Sequence, residues 1–240
     1  MKSMAIPAIF TATLLPTFAS LQGQNEVERI GRVYLSSNRI AAAVAMPIGL
    51  GGAAVASSVA LLYGPDFLGM APILAIFFIG NIGGSIASVS VAMLHSAEEQ
   101  NYIVRLNAAM ALFNVILSLL LVPSLGATGA ALATCGCHTV SSAMTIAHAS
   151  RRLQVALPFQ VLSRVFFAAL SAAVAAWLIS TWLGGLVVAV AAAVLIYPLM
   201  LRALGALDAS DQELLTRLSQ HLPQSMERTY HGLVQFLIRE

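Results

Sequence analysis

Apolar residues in this chain come in long blocks, and polar or charged residues are confined to the gaps between them. Seven blocks stand out, covering about 4–20, 40–63, 70–94, 106–122, 126–148, 163–182 and 184–205. Crossing the hydrocarbon core of a bilayer takes about 20 apolar residues in a helix, so the blocks have the length of membrane spans. The second to fifth and the last hold no acidic residue, and basic residues within a block sit at its end, as Arg164 and Arg202 do. Backbone groups in lipid must be satisfied by the chain itself, which excludes open strands and leaves helices. The pattern predicts an all-α membrane protein with about seven transmembrane helices over 1–205 and a polar tail over 206–240.

The gaps carry direction. Arg29, Arg32 and Arg39 fall between the first and second blocks, Arg105 between the third and fourth, and Arg151, Arg152 and Arg164 between the fifth and sixth. Arg202, Arg217, Arg228 and Arg239 follow the seventh, so all eleven arginines occupy alternate gaps. The other gaps, at 64–69, 123–125 and 183–185, hold no Lys or Arg, and only Lys2 lies on that side. Because Lys and Arg are retained on the cytoplasmic side, this places the N-terminus outside and the tail inside. The rival reading, a cleaved signal peptide ending at Thr17-Phe18-Ala19, inverts every later helix and puts the arginines on the wrong face. An outside N-terminus without a signal suits a chain that begins partway through a longer transporter.

Composition agrees with the pattern. The chain is 59% hydrophobic and 9% charged, against about a quarter charged in soluble domains. Net charge is +2, and the arginines are spread thinly over the gaps, which gives nucleic acid no basic patch to bind. No phosphate-binding loop, paired catalytic carboxylates, nucleophile elbow or zinc motif is present, so the expectation is no enzyme, no cofactor and no metal. Cys135 and Cys137 point about 200° apart on a helix and cannot converge on one ion. In the tail, Ser210-Asp211-Gln212-Glu213 has the form of a capping box, and Leu214, Leu215, Leu218 and Leu222 share one face before Pro223. That segment predicts a cytoplasmic amphipathic helix lying on the membrane or on the transporter.

Several stretches read together. Leu15-Pro16 is followed by Gln24, Glu28, Arg29 and Tyr34; Met46-Pro47-Ile48 lies in the second block; and Leu62-Tyr63-Gly64-Pro65-Asp66-Phe67 follows it. The most specific run is Leu106-Asn107, Phe113-Asn114-Val115-Ile116-Leu117, then Leu121-Val122-Pro123-Ser124-Leu125-Gly126-Ala127-Thr128-Gly129-Ala130-Ala131. Together they resemble the C-terminal half of the polysaccharide and lipid-linked oligosaccharide flippases of the multidrug/oligosaccharidyl-lipid/polysaccharide exporter superfamily. Ser118 stands where that family commonly has a second asparagine, and residues 95–99 replace its glycine-containing turn. Independently of the family, Pro123 is expected not to continue a helix, Gly126 and Gly129 permit a tight reversal, and small residues let the next helix approach closely. Spacing by four sets Gly126, Ala130, Thr134, His138 and Ser142 in one stripe, and Gly80, Gly84, Ser88 and Ala92 in another.

The resemblance implies a MATE-like second lobe plus two extra C-terminal helices, in a bacterial inner membrane. Its implied activity is the flipping of an undecaprenyl-diphosphate-linked oligosaccharide for O-antigen or exopolysaccharide export. The implied partners are the lipid bilayer, that lipid-linked substrate, an N-terminal lobe and polysaccharide assembly proteins. Pro16, Pro47, Gly64, Phe67, Pro123, Gly126, Gly129 and Ala130 are structural members of the motif. Asn81, Asn107 and Asn114 are candidates for a polar path for sugar hydroxyls, or for bonds between helices. His138, the one ionisable group near the centre of a block, reads either as a cavity or proton-coupling residue or as a neutral interhelical donor. Arg151, Arg152 and Arg164 form a basic set for a lipid headgroup or diphosphate, or serve orientation alone. The alternatives are a cation-coupled drug exporter of the same superfamily, which would favour intramembrane acidic residues, and a non-transporting remnant or membrane assembly partner.

Overall fold

The computed structural model describes residues 5–24, 26–154, 159–182 and 185–205, and the expectations for the tail over 206–240 lie outside them. The described residues form helices α1 (Ala5–Gly23), α2 (Val27–Ala54), α3 (Ala56–Leu61), α4 (Ala71–Ser96), α5 (Gln100–Leu153), α6 (Phe159–Trp182) and α7 (Leu186–Ala203). A 3-10 turn at Pro65–Met70 leads into α4, and no strand occurs among the described residues. Four of these elements are long and apolar enough to cross a membrane: Pro65–Ser96, Gln100–Leu153, Leu162–Trp182 and Leu186–Ala203. The chain is an all-α membrane protein.

As the blocks predict, two helices flank the motif, and α5 denotes the 54-residue stretch that holds both. Its backbone breaks at Gly126, where φ is 57° and ψ is −136°. Unbroken, it would set Glu99 and His148 about 70 Å apart, yet their side chains meet at 2.6 Å. The Tyr102 hydroxyl likewise donates to the carbonyl of Met144, at 3.2 Å. α5 is therefore an antiparallel hairpin whose two arms are each roughly 40 Å long. Pro123 does not make the reversal, because helical φ suits proline and the chain stays helical there. Gly126 makes it three residues later, with a positive φ that a side chain resists. Gly129 then lies directly on the Leu121 carbonyl of the first arm, an approach that leaves no room for a Cβ.

The arginine-rich gap after α1 is not a separate connector. It is the beginning of α2, which runs from Val27 without a break past Pro47 to Ala54. Ile30, Tyr34, Ser37, Ala41 and Ala45 recur at helical spacing and are buried, while Glu28, Arg29 and Arg32 remain exposed. Burial on one stripe carries the helix through the polar segment. The bend falls instead at Val55, with φ −102° and ψ 12°. Pro16 lies inside α1 and Pro198 inside α7, and neither ends its helix.

In cross-section α4 is central, packing against α1, α2 and α5, while α2 also packs against α6, and α6 against α7. In lipid, apolar burial gives no net drive between helices, so close fit has to hold them. Small residues supply it. A Cβ on Gly80 would lie 2.6 Å from Sγ of Cys135, and one on Gly49 would overlap Ile82 and lie 2.9 Å from the Phe78 carbonyl oxygen. Gly83 faces Ser142 in the same interface, whereas Gly84 meets nothing within 4 Å. The α4 contact face is thus Gly80 and Gly83, a step of three, and not the Gly80–Gly84 step of four. On α5 the stripe is also redrawn: Ala131, Cys135, Ser142, Thr145 and Ala149 are buried, and His138 is exposed.

Candidate functional site

The fold gathers the arginines of the described residues at one end. Phe18, Leu21, Ile30, Tyr34, Met93, Leu94 and Ala149 form one core cluster, with Tyr102 and Leu153 against it. Ala42, Val165 and Leu201 form the next, with Leu162 beside them. Arg29, Arg32, Arg39, Arg105, Arg151, Arg152, Arg164 and Arg202 all lie on or near these segments. The other end is built from Val55, Ala176 and Ala189, the turn from Gly64 to Met70, and the reversal at Gly126. Gly64 has φ 122°, Pro65 starts the 3-10 turn, and the Tyr63 and Phe67 rings lie 6.3 Å apart. No arginine occurs there among the described residues.

Arg151, Arg152 and Arg164 share this end but not one site. Arg152 Nε donates to Glu99 Oε1 at 2.8 Å. Arg164 Nη1 donates to the Gly205 carbonyl at 3.0 Å, capping the chain just after α7, where the helix dipole is negative. Arg151 is exposed. Two of the three guanidiniums are therefore committed to the protein.

Around Glu99 the structure assembles a constellation that the sequence reading did not single out. Glu99 Oε2 meets His148 Nε2 at 2.6 Å, and its other oxygen takes Arg152. The Tyr102 ring stacks on the His148 ring at 3.8 Å with 10° between planes. Since His148 and Arg152 are one turn apart, both can reach a single carboxylate. The hydrogen bond from His148 holds the Glu99 carboxyl below the usual carboxylate range; burial opposes it, and the charges of His148 and Arg152 add to the lowering. The legible signal was the four-residue spacing of His148 and Arg152. Its target, 49 residues away, was not legible.

A second polar set lies within the core. The Tyr34 hydroxyl is hydrogen-bonded to Ser90 at 2.8 Å and lies 3.5 Å from Ser150 Oγ, tying α2 to α4 and α5. Asn38, fully buried, donates to the Tyr34 carbonyl at 2.8 Å. The polar residues expected along a path are instead peripheral and dispersed. Asn81 is exposed and donates to its own helix at Phe77, 2.7 Å. Asn114 accepts from Ser118 at 3.3 Å, and Asn107 is exposed. His138 is exposed as well, and no hydrogen bond ties it to a neighbouring helix.

The chain is 22% identical over 167 residues to the probable flippase AglR of Haloferax volcanii. That match covers 68% of this chain and 35% of the relative, so the chain spans about a third of that protein's length. No family model matches the chain. No solved structure matches it either.

Proposed function

We propose that this chain is a membrane-transport lobe that moves a lipid-linked oligosaccharide across a bilayer, as a member of the polysaccharide flippases of the multidrug/oligosaccharidyl-lipid/polysaccharide exporter superfamily. The observation that carries the reading is the match to a probable flippase over 68% of the chain. Seven spans cross the membrane: α1, α2 with α3, α4, the two arms of α5, α6 and α7. The arginine end faces the cytoplasm of a bacterial inner membrane, because Lys and Arg are retained there. The substrate is an undecaprenyl-diphosphate-linked glycan bound for O-antigen or exopolysaccharide. Alternating access suits such a substrate: the glycan crosses in a cavity between this lobe and an N-terminal one, while the lipid tail stays in the bilayer.

The sugar path is placed on the outer faces of the lobe, where Asn81, Asn107 and His138 are exposed and Asn114 is half-buried, and a second lobe would complete it. The described residues form a helical bundle, the architecture such a transport lobe has. The test is deletion of the gene in its host. Loss of surface glycan with unchanged sensitivity to cationic drugs is expected. Normal glycan with increased drug sensitivity would contradict the proposal.

A further inference from the structure

The two arms of α5 are closed at one end by the backbone at Gly126 and at the other by side chains. Between those ends the first arm has little holding it: within 100–125, Leu106 is the one buried residue. Closure at the arginine end therefore rests on the packing of Tyr102 and Ile103 against the core cluster and on the Glu99 constellation. Both Glu99 oxygens are taken by the second arm, through His148 at 2.6 Å and Arg152 at 2.8 Å. Tyr102 adds the ring stack on His148, and its hydroxyl is anchored on the Met144 carbonyl at 3.2 Å. The 2.6 Å separation lies at the short end for a nitrogen–oxygen contact, as expected of a charge-assisted hydrogen bond.

We propose that Glu99–His148 is a proton-binding site that sets how tightly the first arm of α5 closes on the second. The ligand is a proton from the aqueous side, which reaches the pair because His148 keeps 33% of its side chain exposed and Glu99 25%. With a neutral imidazole, the ring N–H donates to an anionic carboxylate. With a protonated one, the same bond joins two opposite charges and is stronger. Arg152 on the other oxygen favours ionised Glu99, so the proton is taken up by the imidazole.

The surroundings leave this exchange to the pair. On the link from α4, His95 ends the helix and Glu98 is exposed with φ 60°. On α5, Arg105 and Arg151 are exposed. α2 presents the Tyr34 hydroxyl to Ser150, and its Glu26 is paired with Arg29 at 3.1 Å. α1 contributes Leu14, Phe18 and Leu21, and carries no titratable side chain. The inference does not depend on what the chain transports.

Hydrogen exchange of the full chain in lipid nanodiscs tests it. Amides of residues 100–106 are followed between pD 8 and 5.5, the range in which imidazoles change charge, with rates normalised to chemical exchange. In the wild type, protection rises roughly fivefold towards acid, the difference between a neutral and a charged donor on one carboxylate. His148→Gln keeps a donor for Glu99 but loses the rise. Tyr102→Phe keeps the rise, since the ring and the pair remain. A wild type without the rise, or the same rise in His148→Gln, would overturn the proposal. If His148→Gln lacks the helical circular dichroism of the wild type, Glu99→Gln takes its place, with the same flat profile expected and an undiminished rise counting against the site.

Discussion

The two ends of the bundle are built by different means. At the arginine-free end the chain turns on its backbone: Gly64 with φ 122° before Pro65, and Gly126 with φ 57° after Pro123. At the arginine end, side chains far apart in sequence tie the helices, as Tyr34 does to Ser90 and Ser150, Glu99 to His148 and Arg152, and Arg164 to Gly205. A turn made by backbone torsion fails when its glycine is replaced. A tie made by charged side chains near water weakens gradually and responds to pH.

The largest effect is expected at Gly126. Gly126→Val puts a β-branched side chain where φ is positive and should cost about 3 kcal/mol, read as a lowered thermal transition of the detergent-solubilised chain. Gly80→Val, which forces a side chain onto Cys135, should cost about 2 kcal/mol by overpacking. Its counterpart Gly84→Ala, with nothing within 4 Å, should be neutral or slightly stabilising through helix propensity. Equal losses at 80 and 84 would mean that the α4 contact face is wrongly placed.

Glu99→Gln at the other end should cost about 1 kcal/mol near neutral pH, the upper range for partly exposed pairs. The sign of its pH dependence follows from the direction of the shift. A carboxyl held below its usual range contributes fully above that range, and the contribution is lost as pH falls through the lowered value. The gap between wild type and Glu99→Gln should therefore close in acid, below about pH 4. A gap that keeps widening below about pH 4, where Glu99 is neutralised, would exclude the ion pair as its source.

The same contrast explains what was legible. Helix positions and the turns at Gly64 and Gly126 were readable because apolar length and glycine or proline punctuation are local signals. The segment from Val27 to Arg39 reads in the sequence as a gap between blocks, since its burial stripe is interrupted by exposed Glu28, Arg29 and Arg32. The partner of His148 was out of reach, because a contact across 49 residues depends on how the hairpin closes. His138 is an ionisable residue in an apolar block, but a helical pattern shows which residues share a face and not which face meets a neighbour. The close step from Gly80 to Gly83 was hidden for the same reason.

The central claim is a membrane bundle whose arginine end faces the cytoplasm. It is tested most directly by labelling intact cells with a membrane-impermeant maleimide, in a chain carrying Cys135→Ser and Cys137→Ser. Single cysteines are then introduced as Asp66→Cys at the arginine-free end and Arg151→Cys at the other. The account predicts that Asp66→Cys is labelled in intact cells and Arg151→Cys only after permeabilisation. Labelling of Arg151→Cys in intact cells, with Asp66→Cys protected, would contradict it.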